Sequence, residues 1–200
     1  ENYDDIYSDA SYGEFERQYA RGLGASPLPR PSTVYVGAND GMLHAFNAGT
    51  YLVGDDADTP PGDKREHGRY TTDYPSYYTA ALGKSPELGE EIWSYIPYNL
   101  LPHLECLTDP EYQHKYYVDL HPRIFDVRIW ESEFNSTAGT HPNGWGTIMV
   151  CGMRFGGPHV NVDGRDFASS YMIFDITDPE SAPTLLGEVT YDYDDSDLIQ

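Results

Sequence analysis

Positive charge is what this sequence most conspicuously lacks. Twelve Lys and Arg stand against 33 Asp and Glu, a formal net charge of −21. Phosphate backbones need the opposite field, so nucleic acid is excluded as a partner, and anionic membrane surfaces are disfavoured. Hard divalent cations stay open, alongside plain solubility at a cell exterior. Cysteine is nearly absent too. Only Cys106 and Cys151 occur, with no Cys-x-x-Cys and no Cys-x-x-Cys-His, which excludes zinc-ribbon and c-type haem sites. If the protein is exported the two could pair; two separate buried thiols are equally open. No apolar run approaches the ~18–20 residues that span a bilayer. Neither a signal peptide nor an initiating Met opens the chain, which reads as a mature or excised segment. No His-x-His or His-x-x-x-His pair and no Gly-x-Ser-x-Gly turn is present. The Gly-rich stretch 152–157 follows a strand without opening a helix, and reads as a turn rather than a phosphate cradle.

Tyrosine, by contrast, is abundant. Eighteen Tyr bring the aromatic fraction to 14%, a composition suited to strands and to partly wet interaction surfaces. Val34–Val36 and Met42–Phe46 flank Asn39-Asp40-Gly41, residues that tolerate positive φ, and predict a hairpin. A third strand comes late, at 91–96, after Gly89-Glu90. Between them lies an insertion, 50–88, too long for an ordinary loop. Residues 99–108 carry Leu100, Leu101, Leu104 and Leu107 at helical spacing, with Asn99 placed to cap. Four further strands are expected at 123–129, 145–152, 170–176 and 185–190, with Ile124 and Phe125 on opposite faces and long polar loops at 131–144 and 153–169. Residues 1–30 read as an extended acidic lead, with a helical turn near Phe15–Ala20. The fold class is all-β: about two four-stranded antiparallel blades of a partial β-propeller, residues 31–200, with long insertions and a short helix. A closed propeller has at least ~4 blades, so further blades must come from elsewhere.

Candidate sites are few. Asp192, Asp194, Asp195 and Asp197 crowd one short stretch and could converge on Ca²⁺. However, Ser196 stands where a third ligand belongs, and no Gly turn follows. Asp55, Asp56, Asp58 and Asp63 are a weaker set, adjoined by Lys64 and Arg65. Tyr70, Tyr74, Tyr77 and Tyr78 cluster in the insertion as ligand or partner contacts. Trp130 and Trp145 join them as stacking candidates for a sugar.

The ordered set Val34–Phe46, Leu100–Leu104 with Leu107–Pro110, Tyr116–Asp119, Met149–Gly157 and Phe174–Pro179 resembles the C-terminal propeller of the PilY family. These are the tip-associated adhesins of bacterial type IV pili. The resemblance implies a non-enzymatic, secreted or surface-exposed factor at the pilus tip or outer membrane. It would promote pilus assembly, contribute to adhesion and require no cofactor. Pilins or minor pilins would be its partners, and a host, abiotic or glycan surface its target. Departures occur at Leu120–Pro122, at Cys151-Gly152 and in the insertion, and the family's calcium loop has no match here. The hairpin and Gly-x-x-x-Trp wording also resembles pyrroloquinoline-quinone dehydrogenases, an enzymatic alternative lacking here the vicinal cysteines those enzymes often carry. A carbohydrate-binding propeller is the third reading.

Overall fold

The computed structural model describes residues 8–19, 30–52, 69–72, 83, 85–178 and 182–190. One helix, α1 (Ala10–Tyr19), precedes eleven strands among them: β1 (Thr33–Gly37), β2 (Leu43–Asn47), β3 (Thr50–Leu52), β4 (Arg69–Thr71), β5 (Glu91–Tyr95), β6 (Arg123–Arg128), β7 (Trp145–Gly152), β8 (Val160–Val162), β9 (Arg165–Phe167), β10 (Ser170–Asp175) and β11 (Thr184–Thr190). All pairings are antiparallel. One sheet runs β1-β2-β5, a second runs β11-β10-β7-β6, and β3-β4 and β8-β9 form separate hairpin pairs. None closes on itself. Each large sheet is thus a meander, with a two-stranded pair inserted between its second and third strands.

Local chemistry explains the turns. The β1–β2 connection is held by the Met42 amide donating to Asp40 Oδ1 at 2.9 Å, and Gly41 supplies φ +90°. Asp163 and Gly164 both have positive φ, at 52° and 77°. That is the conformation a two-residue type I′ hairpin requires. The expected polar loop 153–169 therefore contains a hairpin.

The two meanders share one core. Leu43 of β2, Met149, Met172 and Phe174 of the second sheet, and Tyr117 and Val118 form one buried cluster. Tyr95 meets the Phe174 ring edge-on at 4.9 Å, and Trp93 lies 6.3 Å from it. The Tyr117–Val118 segment threads a space that two glycines open. A Cβ on Gly37 would sit 2.3 Å from the Val118 carbonyl oxygen, and one on Gly156 only 1.8 Å from that of Tyr117.

The expected amphipathic helix is instead a 3₁₀ helix over Tyr98–Thr108, with Pro102 inside. Proline withholds the N–H an α-helix needs, and the 3₁₀ period of 3.0 residues aligns i with i+3. Leu100 and His103 are consequently buried, while Leu101 and Leu107 are left exposed. Asn99 does not cap it. Glu188 of β11 does: its carboxylate accepts from the amides of Tyr98 and Asn99 at 3.2 and 3.3 Å, and from the Tyr95 hydroxyl at 3.1 Å. An anion at a helix N-terminus satisfies orphan donors and opposes the dipole. With it, burial and Glu188 push the Tyr95 phenol up to about 12, so Tyr95 stays a donor.

The lead segment also differs from expectation, because α1 starts five residues earlier than the helical turn read from sequence. Asp9 caps it, accepting from the Ser11 amide at 3.0 Å. Its Tyr12 and Phe15 pack with Trp145 of β7, the Tyr12 and Trp145 rings meeting edge-on at 4.9 Å.

Candidate functional site

Most residues singled out from sequence do not converge. Tyr70 sits exposed on β4. Tyr74, Tyr77 and Tyr78 lie outside the described residues, as do Asp192, Asp194, Asp195 and Asp197 and the weaker acidic set in the insertion. Among the described residues no group of three or more His, Cys, Asp or Glu is placed to hold a metal ion. Both tryptophans are committed to packing. Trp145 is buried and donates from Nε1 to Ser11 Oγ at 3.0 Å. Trp130 stacks on His141, ring centroids 3.8 Å apart. His141 in turn bridges Glu133 at 2.9 Å and Asp175 at 2.8 Å, fastening the 131–144 loop to the end of β10.

Cys106 and Cys151 are free thiols. Lys115 Nζ lies 3.2 Å from Cys106 Sγ on the 3₁₀ helix, whereas Cys151 faces the Leu120 carbonyl from β7. Burial pushes the Cys151 thiol up to about 11, so its nucleophilic thiolate is scarce at neutral pH. Iodoacetamide at mild alkaline pH should modify Cys106 in the native protein and reach Cys151 only after denaturation. Mass spectrometry of the adducts checks this, and a disulfide would yield no adduct in either state.

What the fold does assemble is a cavity of about 340 Å³ on the shared inner face, beneath α1. Tyr12, Phe15 and Tyr19 of α1 form one wall, and Ser32 and Tyr35, before and within β1, another. Its polar floor is a connected chain of hydrogen bonds. Arg30 donates to Thr147 Oγ1 at 3.3 Å and to the Ile176 carbonyl at 2.6 Å. Thr147 donates to Asp126 Oδ1 at 2.8 Å, and the Tyr12 hydroxyl donates to Asp126 Oδ2 at 2.8 Å. Tyr19, its phenol pushed up to about 12 by burial and by Asp178, donates to the Thr140 carbonyl at 2.7 Å. The Arg30 guanidinium lies 5.9 Å from the Tyr19 ring centre. Ser32 Oγ is out of solvent with no hydrogen-bond partner. None of this was visible in the sequence, since the contributing segments lie more than a hundred residues apart. The one available signal was Arg30, a basic residue at the end of an acidic lead.

On the opposite face of the first sheet, His44 bridges Glu91 at 2.6 Å and Asp40 at 2.9 Å, with Phe46 stacked beside it. Partial burial disfavours the imidazolium, but Glu91 and Asp40 outweigh it and raise the pKa above the ordinary 6.5. A raised folded-state value means the stabilisation is fully present below the unfolded value. It is lost as pH rises through the folded one. The melting temperature should therefore fall as pH climbs above ~6.5, and His44→Asn should flatten that fall. An unchanged slope in the variant would show that other groups set it.

Over 121 residues, 58% of its length, the chain is 31% identical to a type IV pilus biogenesis factor PilY1 homolog of Xylella fastidiosa (strain Temecula1). A second PilY1 homolog of that organism is 30% identical over 124 residues, 62% of the chain. The matched stretches are 7% and 5% of those relatives' lengths. No family model matches the chain. No solved structure matches it either.

Proposed function

We propose that this PilY1-like chain forms two blades of a larger β-propeller in a surface-exposed factor for type IV pilus biogenesis. It would act without catalysis, as an assembly factor and adhesin, with residues 31–200 as the propeller part and the 50–88 insertion on its rim. Pilins or minor pilins are the proposed partners. Among the described residues no helix is long and apolar enough to cross a membrane.

One observation carries the reading. Each large sheet carries exposed apolar side chains on its outer face as well as a covered inner face, although His44, Glu91 and Asp40 add a charged cluster to the outer face of the first. Val34 and Val36 are 52% and 43% exposed on the outer face of the first sheet, and Tyr171 and Val189 are 54% and 59% exposed on the second. Apolar side chains left exposed on an outer sheet face favour a covering layer, which neighbouring blades supply in a radial array. The bulges at Ala45/Phe46 and Ile173/Phe174 add local twist of the kind blades display.

Hydroxyl-radical footprinting of the full-length protein tests this. Tyr171 and Val36 should be protected there and oxidised in the isolated 200-residue chain. Equal oxidation in both would remove the propeller reading. The chain should also give no dye reduction with alcohols or aldoses in the presence of pyrroloquinoline quinone and Ca²⁺. Reduction above a heat-killed control would favour a dehydrogenase.

A further inference from the structure

We infer that the cavity beneath α1 is a binding site for a single neutral pyranose unit. The inference rests on the cavity's own chemistry and not on the pilus reading.

Size comes first. At about 340 Å³ the cavity falls at the small end of ligand sites, which run ~300–1,000 Å³. Nucleotides and acyl chains are too large for it, and one sugar ring suits it. Charge decides next. Asp126 and Glu16 line the space with Arg30 as the lining cation, so the local balance is negative, within a chain of −21. Anionic ligands are repelled. An organic cation is also disfavoured, because Arg30 already holds the cation's place beside the Tyr19 ring and against the Thr147–Asp126 pair. What remains is neutral and polar.

Hydrogen-bond capacity narrows the choice again. Each Asp126 oxygen accepts one bond from the protein, and a carboxylate offers about four acceptor sites in all. Arg30 uses two N–H groups on Thr147 and Ile176, out of five it carries. Donors and acceptors thus alternate around one small space. A ring of vicinal hydroxyls, each both donor and acceptor, matches that alternation. Tyr12, Phe15 and Tyr35 add aromatic surface for the apolar C–H face of the ring.

The floor is also preorganised. The chain Arg30–Thr147–Asp126–Tyr12 is complete without ligand, so binding need not order those side chains. Tyr12 and Tyr19 are fixed by α1, which Asp9 caps.

The test is titration of the 200-residue chain with methyl glucoside, methyl galactoside and methyl mannoside, followed by ligand-observed NMR and tyrosine fluorescence. Choline and acetate serve as charged probes. At least one pyranoside should saturate, and neither charged probe should compete. Asp126→Asn and Arg30→Gln should each weaken binding about tenfold, read at a temperature where circular dichroism shows each variant folded. Because both also remove structural bonds, Ile124→Trp supplies a second arm: Ile124 lines the cavity and is half exposed, so the larger ring should occupy the space and abolish binding without lowering the melting temperature. Matching oligosaccharides separate a free sugar from a glycan end. A terminal-unit site binds both, whereas the oligomers should fail if the site is enclosed around a monosaccharide; either result leaves a pyranose in the cavity. Three outcomes overturn the inference: no saturation by any pyranoside, displacement by choline or acetate, or undiminished binding in Ile124→Trp.

Discussion

Gly156→Ala should destabilise the chain by about 3 kcal/mol, lowering the melting temperature by roughly 10 °C. The added methyl would sit 1.8 Å from the Tyr117 carbonyl oxygen and 2.4 Å from its carbonyl carbon. Backbone cannot step aside as a flexible side-chain tip does. To relieve the clash, the Tyr117–Val118 segment must leave the core, where both residues are buried. Gly187→Ala is the control. Nothing lies within 4 Å of its Cβ position on β11, so the substitution should be neutral or slightly stabilising by restricting the unfolded chain. Thermal melts of the two variants side by side separate close approach from any general intolerance of glycine replacement. Equal melting temperatures would contradict the threaded core.

Phe174→Ala should cost about 4 kcal/mol, the range of a buried aromatic truncated to a methyl with partial collapse. Phe174 is fully buried, and its ring touches Tyr95 and Trp93 from the other sheet. It is one of the buried side chains through which the meanders meet. Chemical denaturation should show a lowered midpoint with both sheets lost in one transition. If tryptophan fluorescence from Trp93 and from Trp145 changed at separate midpoints, the two meanders would be independent units. The loss at Phe174 would then fall on the second alone.

Much of the strand layout was legible. Strands expected at 33–37, 42–47, 91–96 and 145–152 appear within a residue or two, because β-branched and aromatic runs bounded by Gly and Asn are local signals. Asp163-Gly164 was an equally local signal, passed over because the surrounding stretch is polar. The 3₁₀ helix shows a different failure. Leucines at 100, 101, 104 and 107 fit a 3.6 period, but Pro102 imposes a 3.0 period that buries His103 in place of Leu101. Strand β6 forms where it was read, but its burial does not alternate: Ile124 and Phe125 are both about half exposed, since β6 is a sheet edge. Glu188 capping a helix ninety residues away, and the cavity built from α1, Arg30 and Asp126, depend on pairings that no single sequence displays.

The pilus reading is most directly tested in the organism that carries the gene. The codons for residues 31–190 are deleted in frame, and surface pili are counted by electron microscopy. The account predicts few or no surface pili, with normal pilin levels inside the cell and recovery on complementation. Undiminished surface piliation in the deletion strain, with the remaining protein confirmed by immunoblot, would contradict it.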